Sequence, residues 1–89
     1  MSNTYNIKIY TSDNCVYCNS AKNLLKNKNL KFDEINISKS DILKEKMIKK
    51  TKGLMTVPQI FINSRHIGGF QELNDLENSK KLDEIINKK

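Results

Sequence analysis

The sequence predicts a small α/β sandwich with the element order β-α-β-α-β-β-α. Three observations predict it. Apolar residues recur first with a period of two, then with three- and four-residue spacing, and the period switches repeatedly along the chain. The first strand–helix–strand succession implies a parallel pair with a right-handed crossover. Later, two short β-rich runs at 60–62 and 65–67 are separated only by Asn63-Ser64, which reads as a hairpin and adds an antiparallel edge. The 89 residues allow one domain, spanning 1–89, without repeats, linkers or low-complexity segments.

Each element has its own local reason. Residues 7–10, Ile-Lys-Ile-Tyr, alternate and are β-rich, so they form the first strand. Thr11-Ser12-Asp13-Asn14 is a polar break rich in helix-capping residues, and Asp13 is the preferred cap. From Cys15 the pattern turns helical, with Cys18, Ala21, Leu24 and Leu25 on one face, and it stops at 27–29. A second strand is expected over 30–37. Ser38 or Ser40 can cap a second helix whose apolar stripe is Ile42, Leu43, Met47 and Ile48. Lys52-Gly53 marks a loop. Pro58 admits the third strand at 60–62, a position where a missing N–H is tolerated. Arg65-His66-Ile67 is a short fourth strand, and Gly68-Gly69 breaks it. Phe70, Leu73 and Leu76 mark a third helix. Leu82, Ile85 and Ile86 mark either a last short helix or its continuation after a break near Asn78-Ser79.

Composition excludes several classes. No run of about 18 apolar residues is present, so nothing in the sequence spans a membrane as a helix. Residues 1–5 carry neither a basic stretch nor an apolar core of the kind that directs secretion, which makes the cytoplasm the expected address. The net charge of +6 comes from 16 Lys plus Arg against 10 Asp plus Glu, and Arg65 is the only arginine. The lysines are spread along the helical stretches and are not interleaved with aromatics, so they read as a solvated surface and not as a nucleic-acid face. Such a surface still attracts anionic partners.

Chemistry points to Cys15 and Cys18, the only cysteines. Disulfide-stapled secreted domains usually carry four or more, spread along the chain. A structural zinc site needs four ligands, and two Cys plus His66 fall short. The C-x-x-C pair lies at the junction of the first strand and the first helix. There the free N–H groups and the positive end of the helix dipole favour a thiolate at Cys15. Cys18, one turn on and facing the apolar stripe, should be more buried. The two sulfurs can meet across the first turn, so that one attacks a disulfide and the other resolves the mixed disulfide. Two buried cysteines at accidental spacing are the plain alternative.

Two further segments are candidates. Thr56-Val57-Pro58 is either an ordinary strand-entry proline or a cis turn that offers backbone groups to an extended peptide. Gly68-Gly69-Phe70-Gln71-Glu72 is either a plain turn and helix start or a helix N-terminus that receives a carboxylate, with Glu72 holding an ammonium group or complementing the dipole. His66 reads as an edge-strand surface residue.

Together these motifs resemble the glutaredoxins of the short bacterial dithiol type. The resemblance runs over almost the whole chain, through Ile9-Tyr10-Thr11, Cys15-Val16-Tyr17-Cys18, Lys46-Met47-Ile48-Lys49, the run from Thr56 to Ile62, and His66-Ile67-Gly68-Gly69-Phe70. It implies a thioredoxin-like fold, a four-stranded mixed sheet flanked by helices, acting as a monomer with glutathione as reductant and co-substrate. It also implies roles for individual residues. Cys15 would be the nucleophile and Cys18 the resolving thiol, and Tyr17 would flank the glutathione sulfur. Thr56 and Val57, before a cis Pro58, would pair with the cysteinyl backbone. Gly69, Phe70 and Gln71 would receive the γ-glutamyl carboxylate, and Glu72 would face the ammonium.

Three positions depart from the family pattern. Val16 stands where proline is usual, Ser12 where a lysine is frequent, and Gln71-Glu72 where two aspartates are usual. Lys50 or Lys52 could stand in for the missing lysine. Because of Val16 and Ser12, a redoxin reduced by thioredoxin reductase and donating electrons to ribonucleotide reductase is the alternative. A 2Fe–2S cluster bridged between two protomers by Cys15 and two glutathiones is a further one, with four thiolates in all. No bound metal is otherwise implied.

Overall fold

The computed structural model describes residues 5–87. The first four residues, which carry most of the export-signal reading, lie outside the described residues, as do residues 88–89. The described elements are β1 (Ile7–Thr11), α1 (Val16–Asn27), β2 (Asp33–Asn36), a 3-10 turn (Ile37–Lys39), α2 (Asp41–Lys50), β3 (Gln59–Ile62), β4 (Arg65–Gly68), α3 (Phe70–Asn78) and α4 (Lys81–Asn87). They form one four-stranded mixed sheet in the order β2-β1-β3-β4. β1 pairs parallel with β2 and antiparallel with β3, and β3 pairs antiparallel with β4. The expected parallel pair and antiparallel edge are both present. The last helical stretch is a separate helix, α4.

Period-two alternation divides β1 between two cores. Ile7 and Ile9 face one side, where they meet Ala21 and Leu25 of α1, Ile60 and Ile62 of β3, Leu73 of α3, and Leu82 and Ile86 of α4. Tyr10 faces the other side and meets Phe61 and Met47 of α2, with Tyr10 and Phe61 edge-to-face at 5.9 Å. That second core is small, because Lys8 occupies the alternate position on the same side of β1. It gives α2 little to pack against, so the expected apolar stripe of α2 reduces to one buried residue, Met47, while Ile42 is 66% exposed.

The second strand is shorter than expected. Lys8 pairs with Asp33, so residues 30–31 run past the start of β1. Their N–H groups bond elsewhere: Leu30 N–H donates to the Leu25 carbonyl at 3.0 Å and Lys31 N–H to the Tyr5 hydroxyl at 2.9 Å. At the other end the Asn36 side chain accepts from Ser38 N–H at 2.8 Å and curls the chain into the 3-10 turn. Ser40, not Ser38, caps α2, accepting from Ile42 N–H at 3.2 Å.

One carboxylate ties the end of β1 to its neighbours. The Thr11 hydroxyl, on a residue 1% exposed, donates to Glu34 Oε2 at 2.7 Å, and Lys22 Nζ of α1 donates to the same oxygen at 2.9 Å. The Thr11 hydrogen bond and then Lys22 hold the Glu34 carboxyl below its ordinary value of 4.5. Its stabilising effect is therefore complete above that value and is lost as the pH falls below it, through the lowered folded-state value. Glu34→Gln should cost about 1 kcal/mol at neutral pH. Urea titrations of the variant and the parent should converge as the pH is taken below the ordinary glutamate range; a difference independent of pH would contradict the assignment.

Candidate active site

β1 ends at Thr11, and Asn14, in the left-handed region at φ 57°, turns the chain into α1. Cys15 then occupies the N-cap position in extended conformation, at φ −106° and ψ 108°. Its Sγ accepts from the Cys18 N–H at 3.1 Å. The sulfur thus sits where a capping serine or aspartate oxygen ordinarily sits, and this is the environment that favours a thiolate. Asp13 is not the cap. Its N–H donates to Ser38 Oγ at 3.0 Å and its Oδ1 accepts from Asn36 Nδ2 at 2.9 Å, so it ties the turn to the end of β2. Cys18 faces the interior and is 1% exposed, whereas Cys15 is half-buried. The two are joined as a disulfide, with Cα atoms 5.2 Å apart.

A second segment meets the first at Val57. The Val57–Pro58 bond is cis, and the Val57 carbonyl oxygen lies 3.9 Å from Cys15 Sγ. The preceding loop is held by Thr51, a residue with no evident role in the sequence. Its hydroxyl bonds the Met47 carbonyl at 2.9 Å, the Leu54 carbonyl at 3.1 Å and the Leu54 N–H at 3.0 Å.

The third segment is the start of α3. Gly68 is at φ 121°, a conformation that favours glycine, and a Cβ there would press on the Glu72 side chain at 3.0 Å. Gly69 is the N-cap, and Glu72 Oε1 accepts from its N–H at 2.8 Å. That N–H is therefore occupied within the chain. The N–H groups of the first turn of α3 have no carbonyl ahead of them in the helix. Phe70 stacks on Tyr17 of α1 with centroids 6.3 Å apart, which joins the first turns of the two helices.

These segments enclose a groove of about 590 Å³, inside the range of about 300–1,000 Å³ usual for small-molecule sites. Tyr17, Thr56, Val57, Pro58, Gly69, Phe70, Gln71 and Glu72 all line it. Sequence reasoning missed Leu54, Gln59, His66 and Ile67, which also line it. His66 is on the edge strand as expected, but its ring turns toward Gln59. Neither Lys50 nor Lys52 lines the groove. Lys50 instead borders a separate cavity with Lys8, Tyr10 and Phe61, on the α2 side of the sheet.

A family model, Glutaredoxin, matches residues 7–67. The chain belongs to the glutaredoxin family. It is 43% identical over 81 residues to glutaredoxin 3 of Escherichia coli, covering 91% of this chain and 96% of that protein. To glutaredoxin 1 of Rickettsia conorii it is 46% identical over 83 residues, covering 92% and 81%. Among solved structures, a Brucella melitensis glutaredoxin superimposes with a TM-score of 0.79 at 41% identity, covering 91% of this chain and 87% of that one. A buckwheat glutaredoxin–glutathione complex superimposes with a TM-score of 0.83 at 23% identity, covering 94% and 78%. The thioredoxin-like fold is thereby established, and the glutaredoxin carries the Cys15–Cys18 pair of a thiol–disulfide oxidoreductase. Among the described residues, no helix is long and apolar enough to cross a membrane.

The Glu72–Gly69 bond caps α3 in this glutaredoxin, so Glu72→Ala should destabilise it by about 1 kcal/mol, with Glu72→Gln less harmful because an acceptor remains. Urea denaturation measures both, and equal losses for the two variants would argue against the capping role.

Proposed function

We propose that this glutaredoxin is a glutathione-dependent oxidoreductase that reduces protein disulfides and glutathione mixed disulfides. The observation that carries the reading is the position of Val57. Its carbonyl faces Cys15 Sγ at 3.9 Å, and the same residue lines the groove, so the groove ends beside the sulfur although Cys15 is not itself among the lining residues. The buckwheat relative, alike in fold, is a complex with glutathione.

In this reading Thr56 and Val57 pair with the cysteinyl backbone of glutathione, and Pro58 shapes the turn that presents them. Tyr17 flanks the sulfur. Gly69, Phe70 and Gln71 form the helix start that receives the γ-glutamyl carboxylate, and Glu72 lies near the ammonium. Among the described residues lining the groove there is no lysine or arginine, so anion recognition there falls to backbone N–H groups and polar side chains.

The chemistry is two successive thiol–disulfide exchanges. The Cys15 thiolate attacks the glutathionyl sulfur of a mixed disulfide, and the substrate leaves as its thiolate. A second glutathione thiolate then attacks the Cys15-bound glutathionyl sulfur, which frees glutathione disulfide and restores the Cys15 thiolate. With a protein disulfide, Cys15 first forms a mixed disulfide with the substrate. Cys18 gives up its proton and attacks the Cys15 sulfur, which releases the substrate dithiol and leaves the Cys15–Cys18 disulfide. Two glutathiones then supply the two electrons that reopen it.

NADPH consumption tests the reading directly. One arm holds a small glutathione mixed disulfide, glutathione and glutathione reductase; the other holds a protein disulfide and thioredoxin reductase alone. Turnover in the first arm is expected. Turnover only in the second would overturn glutathione dependence and favour a redoxin of the kind that serves ribonucleotide reductase. Cys15→Ser should abolish activity on both substrate types. Cys18→Ser should keep the reduction of glutathione mixed disulfides and lose that of protein disulfides; loss of both would show the roles to be wrongly assigned.

A further inference from the structure

A chain of hydrogen bonds in the groove wall takes no part in the thiol–disulfide exchanges. It starts on the edge strand β4, where His66 Nε2 lies 2.7 Å from Gln59 Oε1. Gln59 opens β3 and is 3% exposed. Its Nε2 donates to the Thr56 carbonyl at 3.0 Å and to Thr56 Oγ1 at 3.2 Å. The donor and acceptor inventory permits one arrangement. A carbonyl only accepts, so the amide nitrogen of Gln59 faces Thr56, its oxygen faces His66, and His66 Nε2 carries a proton. Both the Nε2–H tautomer and the imidazolium meet that requirement. The ring itself lies against Phe61, with centroids 5.0 Å apart.

The segment at the far end is anchored on both sides, by Thr51 before it and by Val57, which packs against the Tyr10, Met47 and Phe61 cluster, with Pro58 buried after it. Between these anchors Leu54 and Met55 are exposed by 45% and 66%, so side-chain packing does not fix the chain from Leu54 to Thr56. Thr56 is exposed as well, and the next carbonyl, that of Val57, is the one facing Cys15 Sγ. A buried amide with its partners in place resists reorientation, because each buried polar group left unpaired is costly. Without the donor at position 66, the Gln59 oxygen loses the bond that keeps the amide nitrogen turned to Thr56.

We infer that His66 and Gln59 are positioning residues: through the His66–Gln59–Thr56 chain they hold the Thr56–Val57 backbone in the geometry that receives the substrate beside Cys15. The inference rests on the proposed glutathione reading for the identity of the ligand, but not for the ordering of the segment.

His66→Phe keeps a ring against Phe61 and removes the donor, and His66→Gln supplies an amide donor again. With a small glutathione mixed disulfide as varied substrate, His66→Phe should raise KM by about threefold to tenfold with kcat within about twofold, and His66→Gln should recover most of the loss. A second measurement contains no glutathione. NMR backbone order parameters of the reduced protein should fall at 54–57 in His66→Phe, return in His66→Gln, and stay unchanged in β1 and α1. Order parameters equal to wild type at 54–57 would overturn the inference. So would parallel losses of kcat and thermal stability with KM unchanged, since that pattern marks a merely structural residue. If the wild-type protein does not turn over the mixed disulfide, the glutathione reading fails, and the order parameters still decide the positioning role.

Discussion

The double pairing of β1 is the constraint on which the site depends. β1 is hydrogen-bonded to β2 on one side and β3 on the other, and its two faces are sealed by separate clusters, Ile7 and Ile9 in one, Tyr10 in the other. Such a strand has no freedom to slide, because a one-residue slip would send Ile7 and Ile9 to the Lys8 side. Its last residue, Thr11, is therefore a fixed point, braced by Glu34 and through it by Lys22. The turn after it has only to deliver the chain to Cys15. The placement of the Cys15 sulfur at a helix start is thus inherited from strand pairing and does not depend on the cysteine itself.

Around that fixed point the sheet gathers the other groove segments by topology. β3 is the neighbour of β1, so the residues just before it, Thr56 to Pro58, arrive beside the start of α1. β4 is the neighbour of β3, so Gly68 at its end and Gly69 just after it arrive next. The Tyr17–Phe70 stack then joins the two helices whose first turns face the groove. At the far side of the molecule Lys28, at the end of α1, bridges Glu77 of α3 at 3.0 Å and Asp83 of α4 at 3.1 Å, and these two carboxylates hold its ammonium above the ordinary lysine value. α1 and α3 are thereby linked at both ends.

Much of this was legible in the sequence because it is periodic. The alternation in 7–10, the apolar run at 60–62 and the face formed by Cys18, Ala21 and Leu25 encode burial directly, and their apolar residues are buried in the structure. The candidate residues Thr56 to Pro58 and Gly69 to Glu72 were found because proline and glycine announce their backbone needs. What was not legible is pairing between residues distant in sequence. Asp13 looked like a cap, yet its partners, Ser38 and Asn36, lie more than 20 residues away. Ile42 looked like core, yet whether α2 has a full apolar face to meet is decided by Lys8 on another element. Gln59 and His66 carried no local signal, since their link forms only when β3 and β4 pair.

The burial of Cys18 has a consequence for chemical damage. A peroxide or an alkylating agent approaching the reduced protein meets one sulfur, at Cys15, because the other is only 1% exposed. Oxidation of Cys15 to a sulfenic acid would place the reactive sulfur against the Cys18 thiol, and condensation with loss of water would close the disulfide before a second oxidant could reach the irreversible sulfinic stage. The buried cysteine then acts as a safeguard held out of the reagent's reach, and two identical side chains become unequal through depth alone.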